Sequence, residues 1–253
     1  MTGELSDRVA LVTGSSRGIG TAIASRFAAA GAAIAVHGRD EAALSTVRSR
    51  IEDEGGRAIA VAADLTRADE VEAMVARVER ELGPVDVLVA NAGGSPVRPG
   101  PIENISVDDW HASVDTNLTA TFLTVKYVLP GMKERRRGVI ITMASAASRR
   151  PHPGSPVAYA AAKAGIEMFT QNLAAQAGPL GVRANCLAPE TILTERNEEQ
   201  IPPDIKESLR EQHPIRRLGT PDDVARAALF LASDNASWIT GIVLDVAGGA
   251  VMV

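Results

Sequence analysis

Short apolar runs and amphipathic stretches alternate along the whole chain. Val9-Ala10-Leu11-Val12 is β-branched and apolar at every position, the pattern of a strand buried on both faces. Further strand-like runs fall at residues 33–36, 58–62, 85–89, 139–143, 182–187 and 242–246. Between them, apolar residues recur at helical spacing over 21–30, 41–54, 68–82, 108–133, 160–177 and 221–231. Gly31 stops the first of these helices, and Asp40 is placed as the N-cap of the second. Such alternation predicts parallel strands joined by right-handed crossovers. The expected fold is therefore α/β: one doubly wound, Rossmann-type sheet of about seven strands with helices on both faces, in a single domain over 1–253. Ligands of such sheets sit outside the carboxyl ends of the strands. One long irregular stretch, 189–217, carries Pro202-Pro203 and many charges and reads as a lid or a disordered segment.

Two motifs carry chemistry. The first strand runs into Thr13-Gly14-Ser15-Ser16-Arg17-Gly18-Ile19-Gly20 and then a helix. Glycine removes the Cβ atoms that would block close approach, while free N–H groups and the helix dipole favour anions, so this turn suits a pyrophosphate. The second motif is Tyr159-Ala160-Ala161-Ala162-Lys163, which puts a phenol and an ammonium on one helix face. A phenol titrates near ~10, too high for efficient proton exchange around neutrality. Lowering it by about three units takes roughly 4 kcal/mol, which one positive charge about 4 Å away supplies at an effective dielectric of ~20. Alone, the pair is equally a half-buried Tyr beside a solvated Lys.

Together these motifs resemble the short-chain dehydrogenase/reductase family, in its branch of about this length, over nearly the whole chain. Asp64-Leu65 resembles the family's adenine contact after the third strand, and Asn91-Ala92-Gly93 the turn after the fourth. Asn117, in Val114-Asp115-Thr116-Asn117-Leu118, resembles the catalytic asparagine. Gly138 to Ser145 looks like the fifth strand and its catalytic serine, with Ser145 rather than Ser148 at the family's spacing. Asn185-Cys186-Leu187-Ala188-Pro189 and Thr191-Ile192-Leu193-Thr194 resemble the segment closing over a nicotinamide.

The resemblance implies roles. Tyr159 is the expected general acid in carbonyl reduction and the base in alcohol oxidation. Lys163 lowers its pKa and holds the nicotinamide ribose. Ser145 bonds the substrate oxygen, and Asn117 holds a water in a proton relay. The cofactor contacts implied are Gly14, Ser16, Arg17, Gly18, Ile19, Gly20, Arg39, Asp64, Leu65, Asn91, Ala92, Gly93, Tyr159, Lys163, Pro189, Ile192 and Thr194. Gly38 stands where the family places an acid for the adenosine ribose, and Arg39 follows it. Arg17 and Arg39 suit a 2′-phosphate, so NADP(H) is expected over NAD(H). Two departures are visible: Ala90 replaces the first Asn of the family's N-N-A-G, and Glu190 follows Pro189 where Gly is usual. Glu190 is expected to face solvent, the alternative being a role in the substrate pocket. The three residues between Tyr159 and Lys163 are fewer than enoyl reductases of the superfamily carry. Two readings stay beside the ketoreductase one: a non-catalytic NADP-binding regulator and an NAD-dependent alcohol dehydrogenase. 3-Oxoacyl-carrier-protein reductases resemble the chain most, and Arg98, Arg149, Arg150, Arg216 and Arg217 are candidates for docking such a carrier.

Composition narrows the rest. The 253 residues carry a net charge of −5, and the one basic run, Lys133 to Arg137, reads as a solvated connection rather than a nucleic-acid patch. No apolar stretch approaches the ~20 residues of a membrane span, and no signal-peptide pattern opens the chain. Cys186 is alone, and His37, His111, His152 and His213 lack ligand spacing, so neither a disulfide nor a metal is expected. The expectation is a cytoplasmic enzyme with a small carbonyl or alcohol substrate, assembled as a homotetramer through its Ala-rich helices.

Overall fold

The computed structural model describes residues 3–152 and 154–253. Seven parallel strands form one sheet in the order β3-β2-β1-β4-β5-β6-β7. They are β1 (Val9–Val12), β2 (Ala33–Gly38), β3 (Arg57–Ala62), β4 (Val87–Ala90), β5 (Gly138–Met143), β6 (Val182–Pro189) and β7 (Val243–Val246). Among the described residues ten α-helices connect and flank them: α1 (Gly18–Ala29), α2 (Glu41–Asp53), α3 (Ala68–Leu82), α4 (Val107–Val114), α5 (Ala120–Arg135), α6 (Ala146–Arg149), α7 (Val157–Ala177), α8 (Glu195–Gln200), α9 (Pro203–Gln212) and α10 (Pro221–Ala232).

Strand parity divides the core in two. Ala10 and Val12 of β1 face one way and pack with α1, α2 and α10. Val9 and Leu11 face the other way and pack with α3, α5 and α7. Because both faces are covered, the central strands need apolar residues at every position, which is why they read as unbroken runs rather than alternating ones. The order reverses between β1 and β4, whose registers pair Ala10 with Val87 and Val12 with Val89. That switch opens a crevice at the carboxyl ends, where the glycine turn after β1 meets the Asn91 turn after β4.

Two expected elements differ from their sequence reading. The helix expected over 108–133 is present but not uniform: a π-helical turn, Asp115–Thr119, joins α4 to α5 without leaving helical backbone. Such wide turns recur at functional sites, and this one holds Asn117. The stretch 189–217 is not irregular. It folds into α8, capped by the Thr194 hydroxyl accepting from Asn197 N–H, and α9, which opens on Pro203. None of the described helices is long and apolar enough to cross a membrane.

Candidate active site

The glycine turn is held from three sides. A Cβ on Gly20 would sit 2.2 Å from the Gly14 carbonyl oxygen, so α1 packs closer to the turn than any side chain permits. The Asn91 amide donates to the carbonyls of Thr13 (2.9 Å) and Gly14 (3.1 Å), and Thr13 Oγ1 accepts from Ala92 N–H at 3.0 Å. His37 supplies the third support: its Nδ1 accepts from Gly14 N–H at 3.2 Å and its Nε2 donates to Ala63 O at 3.1 Å. Burial, with Arg39 beside it, brings the His37 pKa down to about 4, so the ring is a neutral Nε2–H tautomer near neutrality. His37 thus belongs to the site, though its sequence spacing gave no sign of it. The usable signal was its position one residue before the end of a strand beside the turn. α1 starts at Gly18 with no side-chain cap and no acid in its first turn, leaving its N–H groups for an anion.

The crevice has two lobes of about 770 and 450 Å³ that share Gly14, Ser16, Arg17, Gly93 and Arg196. Arg39, Asp64, Leu65 and Ala92 line the smaller lobe. Asp64 accepts from Thr66 N–H (2.9 Å) and Thr66 Oγ1 (2.8 Å), which hold its pKa below the usual carboxylate range. Asp40 caps α2 through Ala43 N–H at 3.1 Å, as its place in the sequence implies, and also pairs with Arg17 at 3.4 Å. Arg17 and Arg39 therefore differ: one has an exposed acidic partner, whereas among the described residues the other has no ion pair.

The larger lobe brings together Gly18, Ile19, Gly20, Asn91, Ser145, Tyr159, Lys163, Pro189, Ile192 and Thr194. Ser145 caps α6, its hydroxyl accepting from Ala147 N–H at 3.2 Å. Ser148 points instead to Glu167 and the Ser145 carbonyl. Lys163 is 3 % exposed, donates to Met143 O at 2.7 Å, and burial lowers its pKa to about 8. Burial raises the Tyr159 pKa, and a hydrogen bond to Ser145 opposes that rise. The ammonium lies 5.6 Å from the Tyr159 ring centre. The hydrogen bond to Ser145 favours the phenolate, while the Lys163 ammonium is anchored on the Met143 carbonyl.

Asn117 is fully buried and outside the lining of either lobe. Its amide donates to Gly94 O and Ser113 O, both at 2.8 Å, and its Oδ1 accepts from Gly94 N–H at 3.0 Å. It clamps the turn after β4, with both N–H groups engaged by protein. Gly93 makes that clamp possible: it has φ +154, and a Cβ there would lie 2.5 Å from Asn117 Oδ1 and 3.2 Å from Lys163 Nζ.

Glu190 does not face solvent as expected. Its carboxylate is 16 % exposed and lies 2.9 Å from His213 Nε2, since the carbonyl end of β6 turns beneath α9. The arginines considered for carrier docking are largely engaged. Arg149 is half-buried between Glu167 (2.9 Å) and Asp245 (3.0 Å), Arg217 is bonded twice to Asp223, and Arg216 reaches the Glu211 carbonyl. A groove of about 790 Å³ between α1 and α10 is lined by Arg26 and Asp222, which pair with each other.

A family model described as Enoyl-(Acyl carrier protein) reductase matches residues 14–251. The 7alpha-hydroxysteroid dehydrogenase of Escherichia coli (strain K12) is 36% identical over 247 residues, covering 98% of this chain and 95% of that protein. A 3-oxoacyl-[acyl-carrier protein] reductase from Brucella melitensis with bound NAD superposes with a TM-score of 0.90 at 36% identity, covering 100% of this chain and 94% of the other. A gluconate 5-dehydrogenase from Burkholderia cenocepacia J2315, in complex with NADP and tartrate, superposes at 0.91 with 36% identity over 97% and 96% of the two chains. With the glycine turn, the Tyr159–Lys163 pair and the seven-stranded sheet in one arrangement, the chain belongs to the short-chain dehydrogenase/reductase family of oxidoreductases.

Proposed function

We propose that the protein is an NADP(H)-dependent oxidoreductase acting on a ketone or secondary alcohol, working in the reducing direction in one catalytic domain. The observation that carries this reading is the convergence of Ser145, Tyr159 and Lys163 on the lobe that also contains the glycine turn. The turn fits a dinucleotide, since Gly14 and Gly20 let the turn, α1 and the Ala92 backbone pack closer than any Cβ permits and α1 offers uncapped N–H groups. When bound, the nicotinamide supplies or accepts the hydride. Ser145 Oγ positions the substrate oxygen and stabilises the charge that develops on it. The Tyr159 phenol gives its proton to that oxygen in reduction and takes it back in oxidation. Lys163, as a cation, holds the ribose hydroxyls and favours the phenolate once its side chain turns from Met143 O. Asn117 keeps the Gly93–Gly94 backbone in place beside both.

Gly38, Arg39 and Arg17 favour a 2′-phosphate, with Arg39 the free cation and Arg17 shared with Asp40. The Arg17–Asp40 pair favours the second reading, NAD(H), because a carboxylate beside the ribose both accepts its hydroxyls and repels a phosphate. A homotetramer in the cytoplasm completes the reading. Exposed Trp110, Phe122 and Met168 on α4, α5 and α7 support helix-mediated assembly, and light scattering showing a monomer at micromolar concentration overturns it. For the activity, NADPH oxidation is measured with a panel of ketones. Turnover of at least one, abolished by Tyr159→Phe, is expected. NADPH binding without turnover of any ketone, or oxidation of any alcohol, leaves a regulator instead.

A further inference from the structure

His213 closes α9 and is 2 % exposed. Its Nδ1 lies 2.6 Å from Leu209 O and its Nε2 lies 2.9 Å from a Glu190 carboxylate oxygen. Both are hydrogen-bonding distances, and both partners are acceptors. A neutral imidazole has one N–H. Satisfying both contacts requires one more proton than a neutral ring and a carboxylate hold between them. The Glu190 oxygen also accepts from Thr191 N–H, so the same carboxylate grips the backbone that leads to Ile192 and Thr194.

Glu190 also lines the larger lobe of the crevice, with Lys163, Glu195, Arg196 and Glu199, and on its other side the two groups are left to each other. They border a cavity of about 290 Å³ whose other charged residues are Arg217, Asp223 and Asp245. Arg217 and Asp223 bond each other at 2.6 and 2.7 Å, and Asp245 is bonded to Arg149 at 3.0 Å. On α9, Arg210 pairs with Glu207. Gly248 makes room for the ring: a Cβ there would lie 3.2 Å from His213 Cδ2.

We propose that Glu190 and His213 form a hydrogen-bonded latch that fastens α8 and α9 to the end of β6 and fixes segment 189–194 over the cofactor crevice. His213 is a positioning residue, acting through Glu190. Its effect on cofactor affinity rests on the reading that Pro189, Ile192 and Thr194 face the nicotinamide half, whereas the latch itself does not. The diagnostic quantity is the difference between wild type and variant.

Hydrogen exchange of amides 195–212 in the free protein, corrected for intrinsic rates, tests the latch at pH 6. His213→Gln and Glu190→Gln are each expected to exchange about tenfold faster than wild type, the effect of one charge-assisted hydrogen bond. NADPH titration by fluorescence is the second arm, with about tenfold weaker binding by His213→Gln at pH 6. Lid exchange within twofold of wild type at pH 6 in either folded single variant overturns the latch. Failure of the wild type to bind NADPH overturns the cofactor reading and leaves the exchange result to decide on the latch.

Discussion

The two ends of the crevice are built on opposite electrostatic terms. At the catalytic end Lys163 is 3 % exposed and Asn117 fully buried, and each polar atom is matched to a backbone partner. At the end lined by Arg39 and Asp64 the side chains of Arg17 and Asp40 are 71% and 51% exposed. Removing water makes each charge expensive and each neighbour decisive, whereas exposure screens the same charges. A single substitution at the buried end should therefore change chemistry and stability together. At the exposed end it should shift affinity by modest factors and leave the fold alone.

The largest effects are expected at Tyr159 and Lys163. Tyr159→Phe should lower kcat by about 10²–10⁴-fold in steady-state assays while NADPH binding persists. Lys163→Met should lose both activity and cofactor affinity, yet raise the melting temperature at pH 7. Burial lowers the Lys163 pKa from 10.5 to about 8, so folding at pH 7 includes the cost of a buried cation. The unfolded chain keeps that proton up to 10.5, and wild-type stability therefore rises with pH between about 8 and 10.5. Melting curves of wild type and variant should converge across this window, and a constant gap would contradict the buried-charge account.

His37→Leu comes next. It strands the Gly14 N–H and should cost about 1–3 kcal/mol in denaturant unfolding. Native His37 is held neutral down to about 4, against 6.5 when free, so it contributes stability above 6.5 that is lost as pH falls towards 4. The variant should lack that acid sensitivity.

Smaller changes belong to the exposed end. Arg39→Ala should weaken NADPH by about tenfold and leave NADH nearly unchanged, the ratio of kcat/KM being the readout. Gly38→Asp should tilt the enzyme further toward NADH, although its Cβ would stand 3.2 Å from Ser16 Cβ and Oγ, so the turn must give slightly. Smallest of all, Asp40→Asn keeps an N-cap and releases Arg17. NADPH should tighten by less than about 1 kcal/mol, read as a change in Kd at constant salt.

What the sequence disclosed follows the same division between local and distant. Strands came through within two or three residues because burial on both faces forces apolar residues at each position, and the glycine turn and Tyr159–Lys163 pair were legible because each lies within one element. The wide turn at 115–119 was hidden, since the buried residues of α4 and of the turn are Ser113 and Asn117, polar side chains that give a hydrophobic pattern no phase to read. The lid helices did leave signs, in Thr194 before Asn197 and in Pro202-Pro203, but charge density masked them. Pairings across many residues, His37 with Gly14 and Glu190 with His213, have no local pattern at all. They exist only once the sheet has set its order.

The wide turn at 115–119 also constrains how this chain can change by insertion and deletion. Each residue advances an α-helix by about 100°, so one extra residue in a turn shifts the angular phase of everything beyond it. Deleting one residue there would let the backbone ladder run unbroken from α4 into α5. The continuous helix would be locally more regular. It would also rotate α4 relative to α5 and swing the Asn117 amide away from Gly94 and Ser113. Length variation should therefore be excluded from this segment, in which Thr116 also lines the smaller lobe of the crevice.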